Sequence, residues 1–146
     1  MKQFKLNLFK GHAIINDGEN IILIDTGVPS TIHTSDSLNF FSEIFECTTN
    51  YHGVTVSAIS DLLGTEITTV LGADILSNYK ILFDYKNKVI EFSKEEIEFD
   101  GDQADLSYIQ GVPIIKMMVD NQEHKFFLDT GAQISYLSDS LTRNYV

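Results

Sequence analysis

The tripeptide Asp-Thr-Gly occurs twice in this chain of 146 residues, each time directly after a run of apolar residues. "NIILIDTG" occupies residues 20–27 and "KFFLDTG" occupies residues 125–131. With Gly at roughly 7% and Asp and Thr each at roughly 5% of residues, a given tripeptide is expected in only about 3% of chains of this length. Because burying an unpaired carboxylate is costly, two apolar strands that each end in Asp are the strongest constraint on the fold.

The two copies belong to an internal repeat with a spacing of 104 residues, from Asp25 to Asp129. The alignment places the hydroxyl residue Thr31 over Ser135. It also places the predicted turn at Asp17-Gly18 over the one at Asn121-Gln122. A single Asp at a strand end could simply cap its own backbone. Two copies in matching contexts instead indicate two related β units.

Strand patterns dominate the chain, so we predict a mainly β protein. Hairpins are expected around "DGE" at 17–19, around "KNK" at 86–88 and around "DNQE" at 120–123. The turn residues in these segments separate runs that are rich in Ile, Val, Leu and Phe. The acid-rich stretch 94–105 has little apolar content, and we expect it to be a connector.

Two short helices are predicted between the strands. One covers 57–64, with Ser57 as its N-cap and Gly64 as its stop, and the other covers 73–78. Residues 36–46 are ambiguous, because their apolar residues have helical spacing but also fit a buried strand. Both interpretations of this segment stay open.

Composition and charge exclude several classes of protein. The net charge of −11, from 21 acids against 10 bases, opposes binding to nucleic-acid phosphates or anionic lipid, so neither partner is expected. No signal or membrane-spanning segment is evident, and a single cysteine, Cys47, fits a reducing compartment, so we expect a cytoplasmic protein. The four histidines lack ligand spacing and no glycine-rich phosphate loop follows a strand, so no metal or cofactor is expected.

The motifs "DTGVPST" at 25–31 and "DTGAQIS" at 129–135 resemble those of the retroviral and pepsin-type aspartic peptidases. In that family each lobe also carries two apolar residues and a Gly ahead of a short helix, and "VLGADILSNY" at 70–79 has this pattern. The resemblance implies a retropepsin-like fold in which each lobe is a closed β-barrel with short helices. It divides the chain into a complete lobe at 1–93, an acidic linker at 94–105 and the first part of a second lobe at 106–146.

The resemblance also implies the chemistry and its residues. Asp25 and Asp129 would be the catalytic pair, which shares one proton and activates water against a peptide bond. Seven further residues would support or cover them: Thr26, Gly27, Thr130, Gly131 and Gly72 around the catalytic loops, and Tyr51 with Gly53 in a flap at 48–56. The predicted partner is an extended peptide or protein substrate.

Only 17 residues follow Asp129, so we expect the chain to be an incomplete portion of a two-lobed protein. The chain by itself is then expected to be inactive, with hydrolysis carried out by the full-length protein or by an assembly, for which a homodimer is the candidate. The alternative is a non-catalytic peptide-binding or dimerisation module on the same fold. Under that alternative the two carboxyl groups need not meet.

Overall fold

The computed structural model describes residues 1–142, apart from the side chain of Ser140. This part of the chain is mainly β, as the strand patterns predict, and its strands form four sheets. In chain order the elements are β1 (Lys2–Lys5), β2 (Asn7–Phe9), β3 (His12–Asn16), β4 (Ile21–Ile24), β5 (Ile32–His33), β6 (Ser37–Phe40), β7 (Glu43–Glu46), α1 (Val56–Leu63), β8 (Thr69–Leu71), α2 (Ala73–Leu76), β9 (Lys80–Asp84), β10 (Val89–Ser93), β11 (Leu106–Ile109), β12 (Val112–Val119), β13 (Gln122–Phe127) and α3 (Asp139–Thr142).

The central sheet has the order β2-β3-β4-β8-β5 and delivers the first Asp-Thr-Gly motif. Strand β4 pairs antiparallel with β3 and parallel with β8, so it is covered on both edges. Its residues Ile22, Leu23 and Ile24 are all buried, which explains why the run is continuously apolar rather than alternating. At the end of β4, the Asp25 N–H donates to the Leu71 carbonyl at 3.0 Å.

A second sheet, β1-β10-β9, packs its apolar face against the central sheet. An aromatic cluster fills the space between them, in which Phe40 lies 5.4 Å from Phe92 and 5.9 Å from Tyr79, both edge to face. Edge-to-face aromatic pairs add about 0.5–1.5 kcal/mol to the free energy of burial. This packing holds β4 and β8 in place, and β4 leads directly into the first Asp-Thr-Gly loop.

Residues 37–46 form the β6–β7 hairpin, which decides between the two interpretations of segment 36–46. Leu38 and Phe40 alternate inward and are almost fully buried. The connecting residues Phe41 and Ser42 both have positive φ, at 57° and 64°, as a two-residue type I′ turn requires.

The resemblance implied a closed β-barrel, and within residues 1–142 that expectation is wrong, because the strands form separate open sheets. The central sheet ends at β2 and β5, and no pairing joins these two edges. These edge strands have only three and two residues. Such short strands cannot supply the tilt and stagger that closure of a barrel requires.

Helix α1 confirms the predicted helix near residue 57, but its N-cap lies two residues before the predicted cap. Thr55, not Ser57, is the N-cap, and its hydroxyl accepts the Ala58 N–H at 3.3 Å. Gly64 ends the helix in the left-handed conformation, as predicted. Helix α2 falls inside the predicted 73–78, and none of the helices among the described residues is long and apolar enough to cross a membrane.

The sheet β11-β12-β13 repeats β2-β3-β4, and residues 94–105 between the two repeats contain no strand or helix. Ile114 faces Phe127 across β12 and β13 as Ile14 faces Leu23 across β3 and β4. The strands before the turn therefore align at a spacing of 100 residues and those after it at 104, so the second hairpin is four residues longer. The prediction that the second turn aligns with the first at a spacing of 104 residues, at Asn121-Gln122, is therefore wrong. The second turn lies at Asp120-Asn121.

Candidate active site

The two Asp-Thr-Gly loops lie against each other at the ends of β4 and β13. Thr26 N–H donates to Thr130 Oγ1 at 3.1 Å, and Thr130 N–H donates to Thr26 Oγ1 at 3.0 Å. Each hydroxyl then donates to the carbonyl just before the other Asp: Thr26 to Leu128 at 2.6 Å and Thr130 to Ile24 at 2.9 Å. These four bonds relate the two loops by an approximate twofold symmetry and hold them at a fixed separation.

The glycine of each motif lies beside the carboxyl group of the other motif. A Cβ atom at Gly27 would overlap the Asp129 carboxyl group, and one at Gly131 would overlap the Asp25 carboxyl group. Only glycine therefore allows this approach of backbone to carboxylate. Each glycine also donates its N–H to the Asp of its own loop, at 2.9 Å for Gly27 and 2.8 Å for Gly131.

Asp25 has the more buried carboxyl group of the pair. Burial, followed by repulsion from the neighbouring Asp129 carboxyl group, raises the pKa of Asp25 from 3.8 to about 6. A side-chain hydrogen bond with Asp129 acts in the same direction, while the N–H groups of Gly27 and Val28 oppose the rise. Asp25 is therefore the group that holds a proton in mildly acidic solution.

Asp129 is more exposed to solvent and accepts two backbone donors. The N–H groups of Gly131 and Ala132 both donate to its Oδ1, at 2.8 and 3.1 Å. Backbone donors of this kind suit a charged carboxylate. The two carboxyl groups thus have different environments although their loops have the same sequence.

Gly72 lies behind the first loop, where its backbone approaches the segment after Asp25. A Cβ at Gly72 would lie 2.9 Å from the Val28 carbonyl oxygen and 3.0 Å from the Thr31 nitrogen. The Gly72 N–H donates to Thr31 Oγ1 at 2.9 Å. Strand β8 is in this way attached directly to the loop that carries Asp25.

Asp74 completes this attachment, and the sequence analysis did not identify it. Its carboxylate accepts the Thr31 N–H at 2.9 and 3.0 Å and the Thr31 hydroxyl at 2.7 Å. Thr31 is fully buried, so these bonds satisfy groups that water does not reach. The sequence feature that bears on Asp74 is the alignment of Thr31 with Ser135. It indicates that a hydroxyl group has the same role in both repeats, but it does not identify the residue that binds this hydroxyl.

The predicted flap residues lie in a tight turn. Tyr51 and Val54 exchange two backbone hydrogen bonds of 2.9 Å, and His52 and Gly53 between them have positive φ. Tyr51 and Val28 both pack at the border of one apolar cluster, so the turn lies on the same side of the sheet as the residue after the first motif. A role as a flap stays a prediction.

Within residues 1–142 we considered the single cysteine and the side chains that could bind a metal as further reactive groups. Burial raises the pKa of Cys47 to about 11, so its thiol stays protonated at neutral pH. Across residues 1–142, no group of three or more His, Cys, Asp or Glu side chains is placed to hold a metal ion. We therefore take the paired Asp-Thr-Gly loops as the candidate active site.

The chain matches no protein-family model, no curated protein and no solved structure. The proposal for its function accordingly depends on the geometry of the paired loops and on their resemblance in sequence to those of the aspartic peptidases.

Proposed function

We propose that the protein is an aspartic endopeptidase in which Asp25 and Asp129 activate water for attack on a peptide bond. The observation that carries the proposal is the reciprocal bonding of Thr26 and Thr130, which brings two acids from opposite ends of the chain into contact. A purely structural Asp-Thr-Gly turn would not need its carboxyl group beside a second one, because adjacent like charges cost free energy.

The different environments of the two acids suggest their roles. Asp129, the more exposed acid of the pair, is the carboxylate that removes a proton from water as the water oxygen adds to the carbonyl carbon. Asp25, with its raised pKa, donates its proton to the carbonyl oxygen. When the tetrahedral gem-diol collapses, one of its hydroxyl protons returns to Asp25. The C–N bond breaks, and the departing nitrogen takes the proton that Asp129 removed from water.

The alternative function, a non-catalytic peptide-binding or dimerisation module, is less well supported. It predicts no reason for the two carboxyl groups to meet, whereas each carboxyl group lies against the glycine of the other Asp-Thr-Gly loop. An extended peptide is the proposed substrate, and it would bind on the face where the two carboxyl groups are accessible.

The proposal is tested by incubating the protein with a mixed peptide library between pH 3 and 8 and identifying products by mass spectrometry. The assay is run at low and high protein concentration, because a second copy could complete the site. Asp25→Asn and Asp129→Asn should each abolish cleavage, while Asp61→Asn, an exposed control on α1, should not. Equal cleavage by all the variants would contradict the proposal, and so would no cleavage by the full-length protein or by any assembly of the chain under these conditions.

A further inference from the structure

A cavity of about 540 Å³ lies between the two repeats, on the side of α2 and β9. Ala73 and Leu76 line it from the first repeat, and Leu106, Tyr108 and Leu128 line it from the second. The three side chains of the second repeat are 41%, 61% and 45% exposed. Accessible apolar side chains around a concave space of about 300–1,000 Å³ are typical of a small-molecule site.

The charge of the cavity lining is opposite to the charge of the whole chain. Acids outnumber bases by 21 to 10 in the sequence, yet the described residues that line the cavity include Lys80 and Lys94 and no acid. Lys80 begins β9 and lies opposite Ser93, which directly precedes Lys94. Both lysines therefore lie at the same end of the β9–β10 pair.

Each of these lysines forms an ion pair with a glutamate that does not line the cavity. Lys80 Nζ lies 3.0 Å from Glu96 Oε1, and Lys94 pairs with Glu43. The lysine side chains are 54% and 53% exposed. Because exposed ion pairs contribute little to stability, either ammonium group can turn toward a second acceptor at small cost.

Tyr79, which directly precedes Lys80, also lines the cavity and carries an unsatisfied hydroxyl. The residue is 8% exposed, and among residues 1–142 its buried hydroxyl oxygen has no hydrogen-bond partner. Lys94 Nζ lies 5.9 Å from the centre of its ring. Burial, followed by the charge of Glu43, raises the pKa of Tyr79 to about 12, so the hydroxyl stays protonated at neutral pH. Since buried polar groups are almost always paired, this hydroxyl marks a position for an acceptor that a ligand supplies.

We propose that this cavity binds an amphipathic carboxylate, a small molecule with an alkyl chain and one carboxylate head. The chain packs against Leu76, Leu106 and Leu128. The head accepts hydrogen bonds from the Tyr79 hydroxyl and from the two lysine ammonium groups. A carboxylate has about four acceptor sites on its two oxygens, enough for these donors, whereas the ammonium groups would repel a cationic head.

The cavity also reaches the paired Asp-Thr-Gly loops, because Thr26 and Leu128 both line it. The Thr26 hydroxyl donates to the Leu128 carbonyl at 2.6 Å. A bound ligand would contact both repeats beside this hydrogen bond and so stabilise their association. Binding requires only the cavity and its donors, and it does not depend on the proposed hydrolysis.

The proposal is tested with three alkyl probes of similar length that differ in their heads: decanoate, decanol and decyltrimethylammonium. Calorimetry at pH 7 measures their affinity for the chain, and carbon-13 NMR of leucine methyl groups locates the site. Decanoate should bind about tenfold more tightly than either other probe. It should shift the Leu106 and Leu128 methyl signals but not those of Leu62, which is 84% exposed on α1. A general effect of the net charge of −11 would instead disfavour decanoate.

Variants separate the donors in the cavity from other groups of the same kind. Tyr79→Phe keeps the ring and removes the hydroxyl, so it should bind decanoate about tenfold more weakly. Lys80→Gln combined with Lys94→Gln should lower the affinity for decanoate to that for decanol. Lys116→Gln is the matched control and should bind normally, because Lys116 forms a similarly exposed ion pair, 2.9 Å from Glu123, and does not line the cavity.

Three results would overturn the proposal. Equal affinity for decanoate and decanol would show that only the alkyl chain is recognised. No binding of decanoate up to its solubility limit, or methyl shifts confined to leucines outside the cavity, would exclude this site. A loss in Lys116→Gln as large as that in the double lysine variant would show that the overall charge, and not the cavity, determines binding.

Discussion

Thr26 and Thr130 each donate a backbone N–H to the hydroxyl of the other, across 104 residues of sequence. Each hydroxyl donates a hydrogen bond to the carbonyl that precedes the opposite Asp. The carboxyl groups are thus positioned by two loops that these bonds join, and their separation depends on the two threonine hydroxyls. This relationship is the physical basis of the proposed shared proton.

Replacing either threonine by valine should destabilise the protein and separate the loops. Thr26→Val removes an acceptor for the Thr130 N–H and a donor to Leu128, for an expected loss of about 1–3 kcal/mol in the free energy of unfolding. Urea denaturation measures this loss. Thr26→Ser keeps the hydroxyl and is the matched control, so a loss as large as that of the valine variant would contradict the assigned bonds.

Gly27→Ala should disturb the carboxyl pair more than the fold around it, because the new methyl group would overlap the Asp129 carboxyl group. We expect the pKa of Asp25 to fall toward 3.8 as the two acids separate, since repulsion from Asp129 contributes to its rise. Carbon-13 NMR of the carboxyl groups measures the change. The double variant Gly27→Ala with Asp129→Ala should recover the stability that the Gly27→Ala variant loses. Failure to recover it would show that the new methyl group does not overlap the Asp129 carboxyl group.

Asp74→Ala should destabilise the protein by about 2–3 kcal/mol, because the buried N–H and hydroxyl of Thr31 would lose their charged acceptor. Thermal and urea unfolding measure the effect. Asp74→Asn keeps an acceptor oxygen and should lose less. Asp61→Ala, an exposed acid on α1, is the control and should change stability by no more than about 0.5 kcal/mol. Equal effects for Asp74→Ala and Asp61→Ala would contradict a structural role for Asp74.

Folding stability should fall as pH rises through the range in which Asp25 titrates. Because the pKa of Asp25 is about 6 in the folded chain and 3.8 is its ordinary value, the folded state holds more protons between these pH values. Raising the pH from about 4 to above 6 should therefore remove up to about 3 kcal/mol of stability. Asp25→Asn should remove this dependence, which unfolding curves at several pH values can detect. An unchanged pH dependence in that variant would show that other groups cause it.

Local signals in the sequence were enough to predict the elements that deliver the site. Apolar runs before each Asp predicted β4 and β13, and Gly64 marked the end of α1 because its left-handed conformation suits glycine. The β6–β7 hairpin was ambiguous, since its turn at Phe41-Ser42 uses positive φ at residues that do not normally signal it. The open sheets could not be predicted, because closure of a barrel depends on the pairing of distant edges.

The doubled motif also predicted that Asp25 and Asp129 belong together, and the structure brings their loops into contact. It did not reveal the bond between Asp74 and Thr31, which lie 43 residues apart and meet because β8 pairs with both β4 and β5. Contacts of this kind arise from the topology of the sheet. A single sequence carries no local pattern for them.

The most direct test of the shared proton is a carbon-13 NMR titration of the Asp25 and Asp129 carboxyl groups in the folded chain. We predict that Asp25 titrates near pH 6 and that Asp129→Asn lowers this midpoint without returning it to 3.8, because burial, the larger cause, remains. Titration of Asp25 near pH 4, unaffected by Asp129→Asn, would contradict the account.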